Sequence, residues 1–115
     1  MLRLPQHVPL HVAHELALIG ASIPVRRLYD VGLVNRVTPP GEALEEAVGL
    51  ASLIADNGPL ALDASKRILR HAAEWGMTRG WAEQQQIVEQ VIASADAREG
   101  SLAFAERRPP VWTGR

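Results

Sequence analysis

Three histidines near the start of the chain are the first residues whose spacing could serve chemistry. His7, His11 and His14 stand four and three residues apart, a helical spacing that would suit zinc ligands on one face. Pro9 lies inside the set and places His7 before the helix, and Glu15 does not complete an H-E-x-x-H pattern. We therefore interpret the three side chains as solvent-facing and predict no metal site.

Nucleophiles and paired carboxylates are the next candidates, and neither pattern is complete. No serine stands in a G-x-S-x-G turn, and Ser65 is followed directly by Lys66 without the S-x-x-K spacing. Glu45 and Glu46 diverge on a helix, while Glu42 and Glu46 share a face as solvated charges near a helix start. A general acid or base needs burial to tune its pKa, and the sequence indicates no buried carboxylate. We predict no catalytic residue in this chain.

The segment FAERRPP brings an aromatic ring close to a guanidinium. Phe104 and Arg107 stand one helical turn apart, so on one face they could hold a purine ring and a phosphate. A packed phenylalanine beside solvated arginines explains the same residues, and the local pattern alone favours this second interpretation. The glycine-rich phosphate loops G-x-G-x-x-G and G-x-x-x-x-G-K-[ST] are both missing.

Composition narrows the class of protein. The chain has 115 residues, 47% hydrophobic and 4% aromatic, which suits one modest domain with a core of small aliphatic side chains. A net charge of −1 lacks the basic stripe of a nucleic-acid-binding protein, which disfavours a small helical DNA-binding module. No cysteine is present, which fits the cytoplasm, and the apolar run LALIGASIPV is too short for a bilayer. We predict a cytoplasmic protein with no nucleic-acid or membrane partner.

Glycine and proline divide the chain into the helices that would position these residues. Helices are predicted at about 9–19, 42–55 and 59–75, with a short helical turn at about 25–31. Thr78 would cap a fourth helix and Ser94 a fifth that ends near Glu106, with Trp81, Ile92 and Phe104 among the inward side chains. The alternating segment LVNRV predicts a short half-buried strand. The fold class is mainly α, with about five helices and at most one short strand.

Four segments of the chain resemble the enoyl-CoA hydratase/isomerase family, also called the crotonase family. RLPQHVPLHVAHELALIG is similar to a family segment that begins R-L-P-R and continues into an amphipathic helix. GLVNRVTP resembles G-L-V-N-x-V-V-P, and NGPLALDASKRIL resembles N-x-P-x-A-x-x-x-x-K. DAREGSLAFAERRPPVWTGR is similar to D-x-x-E-G-x-x-A-F-x-E-K-R-x-P-x-F-x-G. The segments occur in family order, and the chain is identified as the C-terminal helical part of a family member.

This resemblance implies a single C-terminal helical domain over residues 1–115, without the N-terminal spiral domain that carries catalysis in the family. That absent domain would supply the CoA pocket, the acid/base carboxylates and the N–H groups that stabilise negative charge on the thioester oxygen. The implied parent reaction is hydration of a 2-enoyl-CoA, or a related reaction of an acyl-CoA in fatty-acid or related metabolism. We expect the isolated chain to be inactive.

The resemblance also implies partners and contact residues. The family's Phe and Lys in A-F-x-E-K-R lie near the CoA nucleotide and correspond to Phe104 and Arg107, where arginine keeps the charge and adds a bidentate contact for phosphate. The CoA thioester is the substrate, and no further cofactor is implied. Partners would be copies of the chain, in a trimer or hexamer, or an upstream catalytic half. The alternative is a truncated or split-gene product that acts only as a non-catalytic oligomerisation module.

Overall fold

The computed structural model describes residues 2–115. In this part of the chain there are six helices and no strand: α1 (Leu4–His7), α2 (Leu10–Ile19), α3 (Val25–Asp30), α4 (Ala43–Ala55), α5 (Pro59–Ile92) and α6 (Ala95–Glu106). The mainly α class is confirmed. Backbone contacts divide the chain into two compact units, Met1–Ala47 and Val48–Arg115, with the boundary inside α4.

A small apolar core holds the first unit together. Val8, Val12 and Ala13 are buried, and they pack against the partly buried side chains of Leu4, Leu16, Val31 and Leu33. The Pro9 carbonyl accepts hydrogen bonds from the Val12 and Ala13 N–H groups in α2. Gly20 ends the helix with a φ of 64°, which glycine adopts without a Cβ clash. The prediction of a helix at about 9–19 is confirmed. Periodicity would place Val12, Leu16 and Ile19 on one apolar face of this helix, but Ile19 is exposed.

The strand expected at LVNRV is absent from the first unit, and that expectation was wrong. The N–H groups of Leu33 and Val34 both donate to the Leu28 carbonyl, at 2.8 and 3.4 Å. These bonds close the end of α3, so the amides at the start of LVNRV are used locally. A strand needs a partner ladder, and the described residues provide none for this segment.

Two helices, α5 and α6, form the frame of the second unit. Ala64 and Ile87 of α5 and Ala103 of α6 are buried. Gly76 has φ 64° and ψ 174°, so α5 is kinked at the point where the sequence predicted a helix end. The helix resumes at once, and Thr78 makes no capping hydrogen bond among the described residues, which corrects the predicted cap.

Ser94 caps α6 as predicted, because its Oγ accepts a hydrogen bond from the Ala97 N–H at 3.0 Å. The inward positions predicted for Trp81, Ile92 and Phe104 were wrong, since these side chains are 64%, 67% and 87% exposed. Periodicity places these apolar side chains on a helix face, but among the described residues no other element packs over them.

The C-terminal tail, residues 108–115, belongs to the second unit and lies against α6 and the connection between α4 and α5. The Trp112 Nε1–H donates to the Asp56 carbonyl at 2.8 Å. The indole ring packs on the backbone of two glycines, and a Cβ placed at Gly58 or Gly100 would lie 3.5 or 3.1 Å from it. Gly100 therefore leaves the space on α6 into which the tryptophan fits.

Candidate functional site

A largely apolar groove opens on the second unit beside α6. Its volume is about 590 Å³, and its lining includes Leu60, Ala61, Val91, Ala97, Phe104 and Trp112. The start of α5 and one face of α6 form its walls, and the tail contributes the indole. A groove of this size and character can hold a flat ring or a short aliphatic segment.

Phe104 contributes to the groove lining although most of its ring is exposed to solvent. It lies in the last turn of α6, three residues before the C-cap Arg107, and is 87% exposed. An exposed phenyl ring at the edge of a groove offers a stacking surface, which a ring in the core cannot offer. Phe104 is therefore not packed in the core of the described chain.

Arg107 ends α6 in a left-handed turn. Its φ and ψ are 55° and 40°, and its N–H donates to the Phe104 carbonyl at 3.2 Å. The N–H of Arg108 donates to the Ala103 carbonyl at 3.0 Å, so the two bonds form a Schellman motif with Arg107 at the position where glycine is usual. Since Arg107 has left the helix, the spacing of one helical turn from Phe104 that the sequence predicted does not apply.

The two neighbouring arginines differ sharply in their contacts. Arg108 donates from Nη1 and Nη2 to the two carboxylate oxygens of Glu99, at 2.5 and 3.0 Å, and from Nε to Glu106 at 2.6 Å. Arg107 is exposed, and within residues 2–115 its guanidinium makes no hydrogen bond or ion pair. Of the described residues at the end of α6, Arg107 is therefore the cation that is available to an anionic ligand.

We name Glu99, Arg108 and Val111 the arginine clamp. The same Glu99 oxygen that accepts from Arg108 Nη1 also accepts from the Val111 N–H, at 2.8 Å. The Arg108 hydrogen bonds, followed by the Val111 N–H, lower the pKa of Glu99 to about 2. Glu99 in turn raises the pKa of the Arg108 guanidinium, with a smaller contribution from Glu106. Both groups are charged at neutral pH and hold the start of the tail on α6.

Asp96 is a buried carboxylate, which the sequence did not indicate. It is 4% exposed and accepts hydrogen bonds from the Thr113 N–H at 2.7 Å, the Thr113 hydroxyl at 2.9 Å and the Gly114 N–H at 2.9 Å. The Thr113 N–H is the largest cause that lowers the pKa of Asp96, and burial opposes it. The Asp96 N–H also donates to the Arg115 carbonyl at 3.0 Å. Asp96 thus anchors the end of the tail.

Neither of these carboxylates is suited to proton transfer. A general acid or base works best with a pKa near the working pH, and the pKa values of Asp96 and Glu99 are both shifted downward. Their oxygens are also occupied by tail donors. The arrangement presents the exposed ring of Phe104 and the guanidinium of Arg107 at the end of α6, where they can bind a ligand.

The other candidates from the sequence are dispersed on the surface. His7, His11 and His14 are exposed, and no cluster of potential metal ligands occurs in the described part of the chain. His71 stacks on Trp75, with ring centroids 5.4 Å apart, and its Nδ1 lies 3.1 Å from Glu74. Among the described helices, none has both the length and the apolar character required to cross a bilayer.

Sequence reasoning missed the residues that fix the tail. Asp96, Glu99, Arg108 and Trp112 all stand in the last segment used for the family resemblance. An acidic residue in the first turn of a helix is ordinarily explained by the helix dipole, so Asp96 carried no distinctive signal. The signal that could have identified these contacts was a pair of spacings. Glu99 stands nine residues before Arg108, and Gly100 stands on the same helix before Trp112 of the tail.

The described residues form a mainly α domain of the crotonase type, as comparison with known proteins shows. The family model for enoyl-CoA hydratase/isomerase matches residues 1–115, so the chain belongs to the enoyl-CoA hydratase/isomerase family. The chain is 36% identical to the carnitinyl-CoA dehydratase of Proteus mirabilis, covering 100% of this chain and 46% of that protein. It is 37% identical to the 2,3-dehydroadipyl-CoA hydratase of Escherichia coli K12, covering 98% and 44%.

Solved structures show the same likeness. The enoyl-CoA hydratase of Mycobacterium tuberculosis matches with a TM-score of 0.96 and 48% identity, over 99% of this chain and 45% of that one. The enoyl-CoA hydratase of Bacillus anthracis matches with a TM-score of 0.93 and 33% identity, over 98% and 44%. The chain therefore spans a little under half the length of these relatives.

Proposed function

We propose that this chain is the C-terminal helical domain of an enzyme that acts on an acyl-CoA thioester, and that it contributes contacts to the CoA nucleotide. The observation that carries the proposal is the pairing of an exposed Phe104 with an unengaged Arg107 at one end of α6. The parent reaction would be hydration of a 2-enoyl-CoA, its reverse, or a related reaction of the family. This substrate class is supported by the names of two relatives, a carnitinyl-CoA dehydratase and a 2,3-dehydroadipyl-CoA hydratase.

Each residue would perform one task. The Arg107 guanidinium would pair with a CoA phosphate, for which its planar fork suits bidentate contact. The Phe104 ring would cover one face of the adenine, since aromatic rings favour offset stacking. Neither group transfers a proton, so catalysis would depend on groups from the rest of the enzyme. On this proposal the thioester is the substrate and no additional cofactor is required.

On this proposal, we expect the isolated chain to have no enzymatic activity on an enoyl-CoA. Asp96 and Glu99 are the two described carboxylates with shifted pKa values, and both accept hydrogen bonds from the tail. Both pKa values are shifted away from neutrality. Purified chain mixed with a short enoyl-CoA should leave the absorbance of the conjugated thioester unchanged. Turnover above buffer that persists through repurification would contradict this expectation. The cytoplasmic location predicted from the sequence stays a prediction.

The contact role is best tested in a chimera in which this chain replaces the matching segment of the Mycobacterium tuberculosis enoyl-CoA hydratase. An exposed charge pair contributes about 1 kcal/mol or less, so Arg107→Ala should weaken CoA binding by no more than roughly tenfold. Arg107→Lys should weaken it less. The matched control is Arg98→Ala, which removes an exposed arginine from α6 itself. Unchanged CoA affinity in Arg107→Ala would refute the assignment.

A second candidate function, that of an oligomerisation module, is favoured by the exposed apolar side chains. Leu18, Leu44, Leu69, Met77 and Trp81 are each more than half exposed. Soluble monomers rarely expose contiguous apolar patches beyond a few hundred Å². We expect the chain alone to form a symmetric oligomer, to aggregate, or to bind a partner that completes it. Light scattering at micromolar concentration tests this, and a sharp, cooperatively folded monomer that binds no hydrophobic dye would contradict it.

A further inference from the structure

Two adjacent arginines differ in their contacts, because the arginine clamp engages Arg108 and does not engage Arg107. Arg108 has its Nε and both Nη groups committed to Glu99, Glu106 and the Pro109 carbonyl. Arg107 has no such partner in the described part of the chain. We propose that Glu99 and Arg108 are positioning residues, which hold the left-handed turn at Arg107 and so present its guanidinium to a CoA phosphate. The inference rests on the proposed function of Arg107.

The backbone at Arg107 needs to be held. A side chain at φ 55° brings Cβ close to the backbone carbonyl, and glycine is the usual residue at this point of a Schellman motif. An arginine there would otherwise favour conformations with negative φ. In such conformations its side chain would project from the helix end in a different direction.

Arg107 lies between two fixed points. On its N-terminal side is α6, to which its own N–H and that of Arg108 are hydrogen-bonded. On its C-terminal side is the Arg108 guanidinium, bound by both oxygens of Glu99 in a bidentate pair. The Val111 N–H bonds to the same carboxylate and extends the constraint along the tail. With both sides fixed, the dihedral angles of Arg107 have little freedom.

The clamp also prevents Arg108 from competing for the ligand. A free guanidinium next to Arg107 could bind the same phosphate from another direction. Because Glu99 pairs with Arg108, the described residues at this helix end leave Arg107 as the one available cation, in a defined place. These contacts give Arg107 and Arg108 different roles. If Arg107 were the engaged residue, the free cation would lie one residue further along the tail.

A charge-balanced double variant, Glu99→Gln with Arg108→Gln, tests the inference in the chimera described above. Removal of both partners leaves the net charge unchanged, so a loss of CoA affinity cannot come from long-range electrostatics. The matched control is Arg79→Gln with Glu83→Gln, which removes an exposed ion pair of α5. Each pair is made with Arg107 intact and with Arg107→Ala, and CoA binding is measured by calorimetry.

The clamp variant should weaken CoA binding about threefold when Arg107 is present and should have no further effect when Arg107 is alanine, because the two act as one unit. The control should leave affinity unchanged in both backgrounds. Wild-type affinity in the clamp variant, or an equal loss in both backgrounds, would overturn the positioning role. If Arg107→Ala has no effect by itself, the proposed contact role fails and this inference fails with it.

Amide hydrogen exchange, first on the unmodified chain and then on one variant, provides a second measurement. The N–H groups of Arg107 and Arg108 should exchange as slowly as those in the middle of α6, since both are hydrogen-bonded in the turn. Arg108→Lys, which keeps the charge but loses the bidentate pair, should give intermediate protection and intermediate affinity. Fast exchange at both amides of the unmodified chain would show that the turn is not held and would overturn the inference.

Discussion

The two compact units of this chain are held together by different kinds of contact. Among its described residues, the first buries Val8, Val12 and Ala13 and no charged side chain. The second buries the carboxylate of Asp96 and uses it to fix its tail. Apolar burial stabilises a unit without specifying direction, whereas hydrogen bonds to a carboxylate require particular donors in particular places. The unit that carries the proposed ligand contact is the one whose geometry is specified by polar anchors.

The largest effect should come from removal of the buried anchor. Asp96→Ala leaves the Thr113 N–H and hydroxyl and the Gly114 N–H without their acceptor. We expect Tm to fall by more than about 10 °C, with loss of the tail from the second unit. Asp63→Ala, which removes an exposed carboxylate from α5, is the control and should change Tm little. Equal Tm values for the two variants would mean that the tail does not depend on Asp96.

The apolar core of the first unit should give the next largest effect. Val12→Ala removes two buried methyl groups from a side chain that is 6% exposed, which should cost about 2 kcal/mol of unfolding free energy. Leu18→Ala, on the same helix but 81% exposed, should change it by about 0.5 kcal/mol or less. Urea unfolding measures both. A similar cost for the two would contradict the assignment of the core face of α2.

Two helical glycines allow a sharper comparison. Gly49 in α4 has open space where a Cβ would lie, so Gly49→Ala should stabilise the chain by about 1 kcal/mol. At Gly100 the new Cβ would meet the Trp112 ring at 3.1 Å, so Gly100→Ala should destabilise by about 1 kcal/mol or more. Trp112→Ala in the same chain should remove the penalty. If Gly100→Ala stabilises the chain with Trp112 in place, the indole does not pack against α6 as described.

The smallest effect is a dependence on pH that should be confined to the second unit. The pKa of Glu99 falls from an ordinary 4.5 to about 2 in the folded chain, and that of Asp96 is also lowered. A lowered folded pKa contributes stability above the unfolded value and loses it as pH falls through the folded one. Tm should therefore decline from about pH 4.5 downward, and Glu99→Gln should flatten the decline. Parallel curves for the two proteins would contradict this.

The sequence predicted most helices because their signals are local. Pro9, Gly20 and Ser94 act within one helical turn, and each marks a helix end in the structure as it does in the sequence. The predicted strand was wrong because period-two alternation over five residues says nothing about a partner. The exposed positions of Trp81 and Phe104 were missed because periodicity identifies an apolar face and not what covers it.

The candidate site was predictable only in part. Phe104 and Arg107 follow from the family resemblance, and their contact role stays a prediction. The tail anchors depend on pairs far apart in sequence, such as Asp96 with Thr113 and Glu99 with Arg108. No local rule connects such positions, and each residue alone has an ordinary explanation on a helix or in a loop. Three-dimensional placement was needed to show that they act together.

The seating of Trp112 also makes the chain its own optical reporter. Its indole is half-buried and hydrogen-bonded to the Asp56 carbonyl, whereas the indole of Trp81 is largely in water. With Trp75 and Trp81 changed to phenylalanine, the emission would come from Trp112 alone. Detachment of the tail would then shift the emission maximum to longer wavelength and open the ring to collisional quenchers such as iodide. Movement of these few residues would be visible in a cuvette without any attached dye.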